Sequence, residues 1–120
     1  MGMLAVDCEP REEAVLVRVQ GEVDSSTVDE LAPRLAEALR LAGSHPSRLV
    51  VLDLQPVTFF GSAAINAVLD CHEDGKEAGT AVRLVADHDQ VLRPIQVTEL
   101  DRVLDVYPTL SAALHSKPER

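Results

Sequence analysis

One hydroxyl in this chain is placed to do chemistry. Ser62 follows Phe59, Phe60 and Gly61 and precedes Ala63 and Ala64. The text before it reads as a buried strand and a short turn, and the text after it has helical spacing. Ser62 therefore falls at a strand–turn–helix junction, in a helix first turn whose N–H groups lack intrahelical partners. Such a position favours negative charge, so a phosphorylated serine would gain from the unpaired donors and the helix dipole. A serine can also sit there merely as a cap. A third chemistry, nucleophilic catalysis, needs more than a junction. The local text is not G-x-S-x-G, and no histidine is obviously placed as a base. An enzyme is not the expected reading.

The other reactive side chains do not assemble. His45, His72, His88 and His115 are scattered without metal spacing. Cys71-His72-Glu73-Asp74 contains ligand types, but consecutive helix residues point in different directions, so the run reads as a solvated helix face. There is no G-x-G-x-x-G and no phosphate loop, and neither a metal nor a cofactor is expected. Cys8 and Cys71 are isolated thiols without C-x-x-C spacing. Asp53 interrupts an apolar strand and needs a hydrogen-bond partner if buried; a structural role and a site role are equally open.

The elements that position Ser62 follow from periodicity. Residues 3–8 suit a short edge strand, 10–13 a polar turn, and 14–19 a second strand ended by Gly21. Thr27 and Glu30 fit a capping box, ahead of a helix carrying Leu31, Leu35, Ala38, Leu39 and Ala42 and closed by Gly43. Residues 49–54 are nearly all apolar, as in a central strand covered on both faces. A helix is predicted over 62–78, weakened by Gly75 and stopped by Gly79. A short strand over 81–85 follows, then a helix capped by Asp87 or Asp89. A last strand at 103–106 and a terminal helix from Pro108 to about 115 complete the chain. Strands alternating with helices predict an α/β fold, a mixed β-sheet packed against α-helices, with an antiparallel pair at the start. The sole aromatics are Phe59, Phe60 and Tyr107. Adjacent strand residues face opposite ways, so one of the two phenylalanines is a partner anchor if the strand reaches them.

Charge narrows the function. The chain has 120 residues, the size of one domain, with 20 acids against 11 bases and a net charge of −9. No basic patch is present, so direct nucleic-acid binding is not expected, and an anionic membrane surface would repel the chain. No apolar run approaches the roughly 20 residues that span a bilayer. The first residues lack the pattern of a secretory signal, and Val6 breaks the myristoylation pattern of a Met-Gly start. A cytoplasmic protein is the expectation.

Three blocks resemble the STAS-domain family of anti-sigma factor antagonists (anti-anti-sigma factors): residues 15–24 with Gly21-Glu22-Val23-Asp24, residues 49–59 leading into the Ser62 helix, and residues 97–109. The family's Asp-Ser-Ser-Gly phosphoacceptor motif stands here as Gly61-Ser62-Ala63-Ala64, keeping the modified serine and replacing its neighbours. Glu99 occupies a place where glycine is common and implies an altered turn. The resemblance implies a single STAS-like domain over 1–116 with a loose tail at 117–120. It implies partner switching: the unphosphorylated protein binds an anti-sigma factor, often a GHKL-type serine kinase, which then phosphorylates it; a PP2C-type phosphatase resets it. It implies Ser62 as phosphosite and Asp24, Thr58, Phe60, Gly61 and Ala63 as partner-binding residues. The replaced motif leaves open a non-switching scaffold in a stressosome-like or lipid-transport ABC assembly. With no long exposed apolar stripe, a monomer or weak dimer is expected, which light scattering at micromolar concentration reads directly.

Overall fold

The computed structural model describes residues 3–116, so the expected tail at 117–120 lies outside the described residues. The elements run β1 (Leu4–Pro10), β2 (Val15–Val23), α1 (Val28–Gly43), β3 (Leu49–Asp53), β4 (Val57–Phe60), α2 (Ser62–Glu77), β5 (Ala81–Val85), α3 (Asp89–Val97), β6 (Asp105–Tyr107) and α4 (Leu110–His115), with a 3₁₀ turn at Leu100–Arg102 before β6. One sheet has the order β1-β2-β3-β5-β6, with β4 added beside β2. β1 pairs antiparallel with β2, and the other pairs are parallel. This is the mixed α/β sheet that the periodicity predicts.

The strands divide their side chains between two cores. Val15, Val17, Val19, Val50, Leu52 and Leu84 face α1, α2 and α3, meeting Leu31, Leu35, Val68 and Ile95. Leu16, Leu49, Val51 and Val85 face the opposite way, under Ala113 of α4. All five residues of β3 are buried, as a strand covered on both faces requires.

Several local expectations fail for identifiable reasons. β2 does not end at Gly21 but passes through it to Val23. Gly21 has φ +110°, and a Cβ there would overlap the carbonyl oxygen of Met3, so glycine alone lets the strand bend and continue. A separate strand, β4, lies where a turn was expected; four residues are too short to show periodicity, and their pairing with β2 is non-local.

Thr27 does not build a capping box. It already has helical φ and ψ, its side chain caps no helix N–H, and its hydroxyl donates to Glu22 O at 2.8 Å. Neither Asp87 nor Asp89 caps α3, whose N-cap is His88 in extended conformation. At α4, Thr109 takes the capping role, its side chain accepting from Ala112 N at 3.0 Å. The last strand covers Asp105–Tyr107 rather than 103–106, because the 3₁₀ turn intervenes. Glu99 holds the left-handed φ of +61° that a glycine would adopt freely, so the turn is kept with a less suitable residue.

Gly75, a poor helix former, is also a packing residue. A Cβ there would come 2.9 Å from both Thr80 O and Val82 Cγ2, so the missing side chain seats α2 against β5. Gly75→Ala is expected to lower unfolding free energy by about 1–3 kcal/mol through overpacking, despite alanine's better helix propensity. Urea denaturation would check it, and an unchanged or raised midpoint would refute the packing role.

Candidate functional site

The site forms where β2 and β4 leave the sheet together. Val23 lies opposite Phe60, and Gly61 N donates to Val23 O at 3.1 Å. The chain beyond Val23 and the chain beyond Gly61 thus emerge side by side, one into the Asp24 turn and the other into α2. That pairing is what brings Asp24 towards Ser62.

Asp24 organises its own turn. Its Oδ1 accepts from Ser26 N at 2.9 Å, from Ser26 Oγ at 2.7 Å and from Thr27 N at 3.1 Å. Its backbone oxygen accepts from Val28 N at 2.9 Å, an i to i+4 bond. Asp24 thus caps the turn that leads into α1, three residues ahead of the predicted cap, while no side chain caps α1 itself. These hydrogen bonds, led by the Ser26 hydroxyl, hold its carboxyl below the ordinary value.

Ser62 is the first residue of α2, after Gly61 as N-cap (φ −88°, ψ −173°). Gly61 O accepts from Ile65 N at 3.1 Å, the first bond of the helix. No side chain caps the first turn and no acid stands in it. The Ser62 side chain is exposed, with no hydrogen-bond partner among the described residues. Ala63 and Gly61 are half-buried beside it. The alternative in which Ser62 is merely the helix cap is not met, because Gly61 occupies that position.

One of the two phenylalanines is exposed, and it is Phe59 rather than Phe60. Phe60 is 3% exposed and belongs to the main core, so its assignment to the partner surface is corrected. Phe59 is 50% exposed. The cause is an irregularity in the pairing: Gly21 lies opposite Val57 and Glu22 opposite Phe59, which leaves Thr58 as an unpaired extra residue. Alternation resets there, and Val57 and Phe60 both turn inward while Thr58 and Phe59 turn out. The Phe59 ring lies against Gly61; a Cβ on Gly61 would be 2.9 Å from its Cε2.

Asp53 finds the hydrogen-bond partners that a buried carboxylate needs. It is buried, its Oδ2 takes Arg18 Nε at 3.3 Å, and its Oδ1 accepts Gln55 N at 3.1 Å. It ends β3 on the sheet face opposite Leu52 and begins the turn into β4. His88, which the sequence does not single out, braces the other edge of β4: its Nε2 is 2.8 Å from Val57 O. Nothing in its sequence context signals this contact, which depends on α3 lying next to β4. Among the described residues, no group of His, Cys, Asp and Glu could hold a metal ion, and no helix is long and apolar enough to cross a membrane. The arrangement offers an accessible hydroxyl at a charge-receptive helix end beside an exposed aromatic, and no general base is hydrogen-bonded to Ser62 among the described residues.

The STAS domain family model matches residues 5–113. A Mycobacterium tuberculosis protein named as a candidate anti-anti-sigma factor is 31% identical over 101 residues, 84% of this chain and 67% of that protein. An anti-sigma factor antagonist from Mycobacterium paratuberculosis has a similar structure, with a TM-score of 0.83 and 30% identity over 93% of this chain and 92% of that one. The Bacillus cell fate determinant SpoIIAA in its phosphorylated form shares the fold, with a TM-score of 0.66 and 17% identity over 90% of this chain and 96% of that one.

The Asp24 turn generates a pH prediction. Because the folded carboxyl sits below its unfolded value, its stabilisation is present above the ordinary carboxylate range and fades as pH falls through the lowered value. Asp24→Ala is therefore expected to melt below wild type at pH 7, with the gap narrowing towards pH 3. Thermal melts of both proteins across that range would check it, and a gap independent of pH would count against the charged cap.

Proposed function

The chain belongs to the STAS domain family of anti-sigma factor antagonists, a non-enzymatic regulator class, and from that premise we propose that it binds an anti-sigma factor while Ser62 is unmodified and releases it when Ser62 is phosphorylated. The observation that carries this reading is the exposed, unbonded Ser62 hydroxyl at the first residue of α2. A GHKL-type serine kinase, the anti-sigma factor itself, would donate the phosphate, and a PP2C-type phosphatase would remove it. The protein acts in the cytoplasm on sigma-factor-dependent transcription and is a binding module rather than a catalyst.

The electrostatics of release are local. A phosphate adds roughly −1.5 to −2 charges. The exposed helix end offsets about 0.3–1 kcal/mol of any unfavourable placement. An interface shaped around a hydroxyl and the apolar Phe59 and Ala63 would have to bury the rest unpaired, which costs more than that relief. Every 1.4 kcal/mol lost is tenfold in affinity. The domain need not refold.

Phe59 replaces Phe60 as the aromatic of the partner surface, since it is the exposed one and adjoins Gly61. Gly61-Ser62-Ala63-Ala64 also fits a second reading, a non-switching scaffold, because the Asp and second Ser of the family motif are absent.

Incubation with ATP and each candidate anti-sigma kinase from the same genome, followed by intact-mass analysis, separates these readings. One added phosphate on wild type and none on Ser62→Ala is the expected result. Stable co-elution with a kinase and no phosphate would move the assignment to the scaffold. In titrations against the anti-sigma factor so identified, Phe59→Ala is expected to weaken binding tenfold or more, with the melting temperature nearly unchanged. Phe60→Ala should instead lower stability by about 3–5 kcal/mol. The reverse pattern, with Phe60→Ala stable and Phe59→Ala binding normally, would remove Phe59 from the interface.

A further inference from the structure

α1 and α2 lie side by side and enclose an open groove of about 340 Å³. Leu35, Leu39 and Cys71 line it along with Ala36 and Ala67, whose small side chains leave room. Asp70 and Asp74 stand on its α2 rim. Both acids are exposed, and neither makes an ion pair among the described residues. No Lys or Arg lines the groove. The nearly buried Cys71 thiol is pushed up to about 12, first by burial and then by the charge of Asp74, so this lining residue stays neutral and feels a negative field.

The groove is continuous with the proposed switch. Ala63, next to Ser62, lies one helical turn from Ala67, and the stripe runs on through Asp70 to Asp74. Asp70 and Asp74 are themselves one turn apart, about 6 Å along the axis. That spacing matches two cations four residues apart on a helix, and the gap between two helices is the shape that receives an amphipathic one.

We infer that the α1–α2 groove seats an amphipathic helix of the anti-sigma partner, its apolar side chains on Ala36, Leu39 and Ala67 and a Lys or Arg pair at i and i+4 on Asp70 and Asp74. The inference rests on the functional reading above and names the surface through which that partner holds on. Charge complementarity selects the occupant: a chain of net charge −9 presents an apolar channel edged by unpaired carboxylates, which a basic helix neutralises and a second acidic copy does not.

The test uses the full chain and whichever anti-sigma factor it binds in the Ser62 experiment, with titration calorimetry at two salt concentrations. Asp70→Lys with Asp74→Lys is expected to weaken binding at least tenfold and to flatten its salt dependence. Both side chains are exposed, and a cation at position 74 lies near the last turn, where it complements the helix dipole, so this variant should fold. Ala67→Leu, which fills the groove, should weaken binding while leaving the salt dependence in place. Glu12→Lys with Asp101→Lys, away from the groove, should bind within twofold of wild type. Hydrogen exchange on the wild-type complex supplies a reading free of substitutions, with protection expected over residues 32–39 and 67–74. Wild-type affinity in the Asp70 and Asp74 variant, or no protection over these helices, would overturn the groove while leaving the switch intact. A wild-type protein that bound no anti-sigma factor would overturn the functional reading and this assignment together. Concentration-dependent dimerisation lost in Ala67→Leu would assign the groove to a second copy and overturn it as well.

Discussion

The pairing of β2 with β4 governs the functional end of this molecule. β2 is nine residues long and serves two parallel neighbours in succession, β3 along its first half and β4 along its last three residues. The handover requires a kink, which Gly21 supplies, and a spare residue, Thr58, on the incoming strand. From these two irregularities follow the burial of Phe60, the exposure of Phe59 and the bond from Gly61 to Val23 that sets the start of α2 beside the Asp24 turn. Asp53 and His88 support the same arrangement from either side, one by fixing the turn into β4 and the other by bonding its free edge.

Charge is distributed along α2 against the helix dipole. Its first turn holds no acid, whereas Asp70, Glu73, Asp74 and Glu77 crowd its second half. The dipole would favour the reverse, by a few tenths of a kcal/mol to about 1 per exposed charge. The arrangement leaves the N-terminal N–H groups without a competing carboxylate, so a charge arriving at Ser62 meets unoccupied donors. It also concentrates negative potential next to the apolar groove between α1 and α2. Helix stability is given up at these positions, a local inconsistency of the kind functional sites show.

Membership of the STAS family and the positions of the site residues bear on different questions. The family match covers residues 5–113 and supplies the regulator class. The local text at Gly61-Ser62-Ala63-Ala64 is particular to this chain, and its consequences are physical. Gly61 accommodates the Phe59 ring, which a side chain at that position would displace. Ala63 presents a methyl where the family places a second hydroxyl. The surface around Ser62 is thus more apolar than the family motif, and a charge arriving there contrasts more sharply with its surroundings.

The amino-acid sequence by itself determined the α/β class, the central buried strand, the two long helices, and Ser62 at a helix start. All of these rest on local periodicity, composition or motif. The tertiary structure alone decided the rest. β4 exists because β2 is beside it, and Thr27 turns inward because Glu22 O is there to receive its hydroxyl. Gly75 matters because β5 passes 2.9 Å from where its Cβ would be. Which phenylalanine faces solvent turned on one unpaired residue in a parallel ladder, and a period-two pattern carries no record of where such a residue falls.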